Sequence, residues 1–275
     1  MTALRAAARY VDGLRRAGED WFTAEQRALR GLAFSRILVA IAVLGLLLTN
    51  FGHRHLLWGP ASGWIDPYRD AVGWGPLEAI FAGDNPTVFT LKYLALIAIA
   101  VAVLLGWRTR LTTLLLVIGL TALVERNGLV GDQGDNIARI GLMLMVLMNT
   151  SAHWSLDERR RRRTARLGTR HLRDRIVLGH RLLPEWIATP LHNAALVALA
   201  LQIFILYTAS ALFKVQGELW QGGTALYYPL SLHEYGVFPW LNRLLTHNEL
   251  MVTAATYFAV FVQLFFAVGL LHTVT

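Results

Sequence analysis

The chain has 275 residues, is 55% hydrophobic and only 16% charged, and contains no cysteine. Without cysteine there is no disulfide framework, thiolate metal site or catalytic thiol. A formal net charge of +8 would suit nucleic acid, but the cations flank apolar runs and lack the aromatic interleaving of a nucleic-acid platform, so no nucleic-acid partner is expected.

In chain order, residues 1–30 carry six arginines and no apolar run long enough for a cleavable leader. They read as a cytoplasmic amphipathic helix with Trp21 and Phe22 as interfacial anchors. Residues 31–275 read as one all-α, polytopic transmembrane domain of about six spans with structured outer loops. The spans are Leu32–Thr49, Val88–Leu105, one beginning at Leu111, one ending near Met148, Leu191–Phe213 and Met251–His272. Arg36 and Lys92 fall near span ends, where snorkelling accounts for them. Gln202 and Tyr207 are expected to bond to neighbouring helices.

Charge orients the bundle. Segments 1–31, 106–110 and 151–189 hold 18 of the 26 Lys and Arg residues, whereas 50–87, 125–136 and 214–250 hold five: Arg54, Arg69, Arg126, Lys214 and Arg243. That bias predicts a multi-pass protein of the plasma membrane with both termini cytoplasmic. The run Arg159, Arg160, Arg161, Arg162 and Arg163 is the topology anchor, in contact with anionic lipid. Trp107 and Trp154 mark inner interfaces; Trp58, Trp220 and Trp240 mark outer ones.

The third and fourth spans are short as pure apolar runs. Leu111–Val124 is 14 residues, or roughly 21 Å against a hydrocarbon core of about 30 Å. Crossing would carry Glu125, Arg126, Asp132, Asp135 and Arg139 to membrane depth, where they must pair or line a wet cavity. Asp135 and Arg139, four apart, are placed to pair on one helix face. Two readings stand: an ion pair that closes the bundle, or a cavity wall that handles protons or a polar ligand.

Two outer loops are long for linkers. Asn50–Pro86 contains His53, His55, Trp58, Trp64 and Trp74, and such a loop either functions or caps the bundle. His53-Arg54-His55 reads as an interfacial cationic cluster, with no metal site expected. Lys214–Asn248 opens on Lys214 at the end of span five. Lys214 either snorkels to the interface or is desolvated by Phe213, Trp220 and Tyr227 into a general base. Glu218, four residues on, opposes the second reading, and Gly222-Gly223 permits a tight turn after Trp220. Spacing does not choose between these.

The segment Phe213-Lys214-Val215-Gln216-Gly217-Glu218-Leu219-Trp220-Gln221-Gly222-Gly223 resembles the lysine–tryptophan–glycine segment of the HTTM membrane domain, shared by vitamin K-dependent gamma-glutamyl carboxylases and bacterial SdpB-like proteins. Asp132-Gln133-Gly134-Asp135-Asn136 resembles the family's polar box. His153-Trp154-Ser155-Leu156-Asp157 resembles its Trp-Ser-x-Asp signature, and Phe34-Ser35-Arg36-Ile37 fits the start of its first span. The likeness covers roughly residues 25–275 and implies that Lys214 is a catalytic base, with Asp135 and Asn136 in its pocket. Glu218, Trp220, Tyr227, Asp132 and Arg139 would line the cavity, and Trp154, Ser155 and Asp157 would be structural. The implied cofactor is a lipid quinol of the vitamin K kind; the implied partners, besides the bilayer, are an exported peptide and a small membrane-anchored protein. The carboxylases often have two lysines where this chain has Phe213-Lys214, and Asn-His where it has Asp135-Asn136. An end at Thr275, directly after span six, reads as a truncated C-terminus; the size matches the shorter bacterial branch, associated with peptide maturation. The alternative is a non-catalytic scaffold, immunity or transport-accessory protein.

Overall fold

The computed structural model describes residues 2–65, 76–83, 85–167, 184–232 and 238–274. Arg69, Trp74 and residues 168–183 of the basic segment lie outside the described residues. The described chain is helical, without strands: α1 (Thr2–Thr23), α2 (Leu29–Thr49), α3 (Arg54–Leu57), α4 (Pro86–Leu105), α5 (Thr109–Glu125), α6 (Gln133–Leu147), α7 (Leu156–Leu167), α8 (Glu185–Gln216), α9 (Glu218–Gln221), α10 (Tyr227–Ser231), α11 (Pro239–Thr246) and α12 (Glu249–Val274).

Four of these, α2, α4, α8 and α12, are long and apolar enough to cross a membrane. The 21 residues of α2 rise about 31 Å, matching a hydrocarbon core of about 30 Å. By contrast, α5 and α6 have 17 and 15 residues, or roughly 25 and 22 Å. Their shortness has a local cause. α5 stops where Arg126 and Asn127 turn away to bind loop carbonyls, and α6 starts only at the Asp132 cap.

The chain forms two compact units, Met1–Leu196 and Val197–Thr275, each described by itself. In the first, α2, α4, α5 and α6 pack together. α2 buries Ala33, Arg36, Ala40, Val43 and Leu47, and α4 buries Phe89, Tyr93, Leu96, Ala100 and Val103, both at three- and four-residue spacing. Leu38, Ile41 and Leu48 on α2 and Leu91 and Leu94 on α4 face outward. An apolar exterior of this kind suits lipid.

The ends of α4 follow from sequence. Asn85 accepts from the amides of Thr87 and Val88, and Pro86 occupies the first turn. Gly106 closes the helix at φ 67°, with the Trp107 amide reaching back to the Ala102 carbonyl. A Cβ at Gly106 would stand 2.4 Å from Ser155 Cβ, so two elements meet here through a missing side chain.

At the arginine-rich end, Arg36 is 1% exposed and does not snorkel. Its guanidinium donates to the carbonyls of Val103 (2.5 Å), Leu104 (2.8 Å), Thr150 (3.2 Å) and Trp154 (2.8 Å). The last carbonyls of α4, of which Val103 also takes the Gly106 amide, give it partners that an interface would not. Asp157 complements it at the start of α5, accepting from the amides of Arg108 (2.9 Å) and Thr109 (2.7 Å) and from Thr109 Oγ1 (2.8 Å). Within the arginine run, Arg160 pairs with Asp157 and Arg161 donates to Ser151, while Arg159, Arg162 and Arg163 are exposed. The run is thus part fastening and part free charge.

At the opposite end, the described residues of the Asn50–Pro86 loop pack on the end of α5 through Leu57, Trp58 and Phe81. Buried Arg126 donates to the carbonyls of Trp58 (2.5 Å) and Phe81 (2.7 Å), and Asn127 to Leu57 (2.7 Å). The cluster His53-Arg54-His55 is not uniformly cationic. His55 Nε2 lies 3.1 Å from Thr90 Oγ1, whose own proton goes to the Pro86 carbonyl, so Nε2 carries the proton. Nδ1 is then a buried atom without a partner, and burial together with the adjacent Arg54 holds the imidazole below its ordinary range.

Candidate functional site

Lys214 is one of only two lysines in the chain, the other being Lys92. It sits in the last turn of α8 in the second unit. Ser210, one turn earlier on the same face, and Gln263 on α12 receive its amine: Nζ donates to Ser210 Oγ at 3.1 Å and to Gln263 Oε1 at 2.8 Å. The Trp220 ring closes the third side, with Nζ 5.1 Å from its centroid. Two turns N-terminal to Lys214, Tyr207 packs on Phe266 with ring centroids 4.7 Å apart, extending the α8–α12 seam.

The segment after Lys214 is shaped to return Trp220 over the amine. Gly217 starts α9, and Gly223 at φ 72° lies against Thr253, where a Cβ would come within 2.7 Å of Thr253 Cγ2. Tyr257 Oη donates to the Gln221 carbonyl at 2.7 Å, and the Leu226 amide donates to buried Thr256. The α9 turn is thereby tied to α12, the helix that also carries Gln263.

Three residues expected around this amine are placed as follows. Phe213 is 75% exposed. Tyr227 packs edge-on against Tyr228, and among the described residues only Trp220 has Lys214 over its ring. Glu218 lies in the first turn of α9 and makes no ion pair with Lys214.

The polar box belongs to the first unit. Asp132 and Asp135 form a reciprocal cap: the Asp135 amide donates to Asp132 Oδ1 at 3.0 Å and the Asp132 amide to Asp135 Oδ2 at 3.2 Å. Asp135 spends its carboxylate on this cap, so the expected Asp135–Arg139 pair does not form. Arg139 instead donates to Asn136 and pairs with Glu125 at 3.6 Å. These five residues have helix-starting and helix-joining work in the structure. Among the described residues, no three His, Cys, Asp or Glu side chains group as a metal site.

Sequence reasoning missed one buried pair. His192 and Asn193 on α8 are fully buried in the first unit. Asn193 Nδ2 donates to the carbonyls of Trp21, Phe22 and Glu25, and its Oδ1 accepts from the Arg27 amide. His192 Nδ1 accepts from the Asn149 amide at 2.9 Å, and Nε2 lies 2.9 Å from the Arg27 carbonyl. The available signal was two adjacent polar residues opening an apolar span, which are tolerable only if partnered.

No protein-family model matches the chain, and no curated protein or solved structure matches it. The likeness to the HTTM domain therefore rests on the four motifs. Two of them meet in the structure, where Arg36 donates to the Trp154 carbonyl; within a third, Lys214 reaches the Trp220 ring.

Proposed function

We propose that this chain is an HTTM-type protein of the plasma membrane that acts at the outer face on an exported peptide, with Lys214 as its proton-handling group. The observation carrying this reading is the setting of the amine: a hydroxyl, a carboxamide oxygen and an aromatic face, with no described carboxylate paired to it. Such partners serve either protonation state. An ammonium donates to Ser210 and Gln263, and a neutral amine donates to Gln263 while accepting from the Ser210 hydroxyl. On this reading α5 and α6 are the third and fourth of six crossings, α1 lies along the cytoplasmic surface and both termini are cytoplasmic. A small membrane-anchored protein would present the peptide.

The residues fit a lipid quinol, because Trp220 offers a ring face beside the amine and Ser210 and Gln263 are hydrogen-bonding groups. A bound quinol would supply a phenolic proton and two reducing equivalents. The chain's part is to hold or release a proton at Lys214 Nζ, to orient Nζ through Ser210 and Gln263, and to cover it with Trp220.

A second reading has an observation of its own: the amine's three interactions also clamp α8 to α12 and α9, as a non-catalytic scaffold, immunity or transport-accessory protein would need. The mass of the exported peptide encoded beside this protein separates the two. In cells with equal membrane abundance of the variants, Lys214→Ala and Lys214→Arg both leave the peptide unmodified if Lys214 exchanges a proton. Wild-type peptide mass in both variants rejects that role and leaves the clamp.

A further inference from the structure

At the arginine-rich end of the first unit, a cavity of about 700 Å³ opens between the start of α2, the end of α4 and the start of α7. Its size falls in the range of small-ligand sites. Its walls divide by chemistry. Leu104, Leu105 and Leu156 supply an apolar side, and Arg30, Arg159 and Arg162 bring three guanidinium groups. Arg162 is matched by Glu158 at 2.7 Å. Arg30 and Arg159 have no side-chain partner among the described residues, although their neighbours Arg27, Arg160 and Arg161 are all engaged. Trp154, 60% exposed and held at φ 51° by the Arg36 bond to its carbonyl, turns its indole to the rim.

Two unmatched guanidinium groups facing one cavity call for an anion, and the planar fork of arginine suits phosphate oxygens in particular. An apolar wall, an exposed tryptophan and a position at the ends of two membrane-length helices specify where that phosphate comes from. We propose that this cavity seats the phosphate headgroup of an anionic phospholipid, clamped between Arg30 and Arg159, with its glycerol and first acyl carbons against Leu104 and Leu105. The site is independent of Lys214. It gives the arginine run a second task, because Arg160 and Arg161 fasten α7, whose Arg159 lines the cavity together with Arg30.

The test is native mass spectrometry of the full chain released from nanodiscs of equimolar phosphatidylglycerol and phosphatidylcholine. Wild type is expected to retain one phosphatidylglycerol in preference to phosphatidylcholine. Arg30→Gln with Arg159→Gln should lose that preference by roughly twenty-five-fold, about fivefold for each surface arginine. Arg163→Gln, an exposed member of the same run that does not line the cavity, should behave as wild type. Arg30→Lys with Arg159→Lys keeps charge without the fork and should fall between, which separates headgroup binding from misfolding. Equal retention by wild type and the Gln pair overturns the proposal, as does equal loss in Arg163→Gln. Displacement of the retained lipid by millimolar glycerol phosphate would assign the site to a free phosphate compound and overturn the lipid source.

Discussion

Replacing Arg36 by methionine is the sharpest test of how the first unit is held. The guanidinium donates four hydrogen bonds, at 2.5 to 3.2 Å, to carbonyls from two separate segments. Bonds from a charged donor contribute roughly 1.5–3 kcal/mol each. The gross loss is offset by relief of a desolvated charge, itself several kcal/mol. Methionine fills the stem but removes the guanidinium from four carbonyls, of which Val103 keeps another donor, the Gly106 amide. The net cost is about 3–5 kcal/mol, the usual result of removing one side of a buried charged contact. For a protein of this size that lowers the melting temperature by roughly 6–20 °C. Intrinsic fluorescence of the nine tryptophans in detergent reads it directly. Arg36→Lys should recover part of the loss, since an ammonium reaches fewer of the four carbonyls. Arg139→Met, whose pair with Glu125 is partly exposed, should cost no more than about 1 kcal/mol. If Arg36→Met and Arg139→Met melt alike, the account of the Arg36 junction is wrong.

Gly106→Ala should destabilise by at least about 2 kcal/mol, combining left-handed strain with a clash against Ser155. Gly45→Ala, on an open helix face, should be neutral or slightly stabilising by the same melt. His55 predicts a pH dependence. Its folded pKa is lowered by burial and by Arg54, while the unfolded histidine titrates near about 6.5. Stability is therefore complete above that value and declines as pH falls below it through the lower folded value. His55→Gln keeps a donor for Thr90 and should flatten this acid-side decline; an unchanged pH profile of the melting temperature would sink the assignment. Gln263→Glu places a carboxylate at the Lys214 amine, and the resulting ion pair keeps the proton there. The variant should remain folded yet leave the exported peptide unmodified, and full modification would argue for the clamp.

Where the chain is apolar over the length of a bilayer, its fold was legible. Leu32–Thr49, Val88–Leu105, Leu191–Phe213 and Met251–His272 all fall within helices of membrane length, because length and hydropathy decide such segments locally. The helix ends at Asn85-Pro86, at Asp132 with Asp135 and at Gly106 use common end signals, but none was predicted, and Asp135 was expected to pair with Arg139 instead. What sequence could not reveal was where buried polar groups find partners. Arg36 meets the carbonyls of residues 103, 104, 150 and 154, more than sixty positions away. No periodicity encodes that, so snorkelling was the natural expectation. Asp135 and Arg139 illustrate the converse. Four-residue spacing permits a pair, but the backbone amide of Asp132 is nearer to hand and takes the carboxylate. The lysine–tryptophan contact was legible as a motif, whereas Gln263, 49 residues later, was visible only in three dimensions.

The buried polar residues differ in what they hold, and this bears on which can take part in chemistry. Arg36, Arg126, Asn127, Asn193 and Asp157 all end on backbone amides or carbonyls at helix ends and loops. To release any of them during a reaction would orphan main-chain groups in a dry interior, which costs about 1–3 kcal/mol for each group. Such residues are fixed by the fold they complete. Lys214 binds no backbone atom; its hydrogen-bond acceptors are a serine hydroxyl and a glutamine amide, both on rotatable side chains. Its amine can gain or lose a proton, or turn toward a ligand, without unfastening a helix end. Among the charged groups named by the sequence as candidates, the carboxylate of Asp135 lacks that freedom, committed to the cap of α6. That freedom is what a proton-handling group needs, and it sets the side-chain clamp at Lys214 apart from the backbone fastenings of the other buried residues.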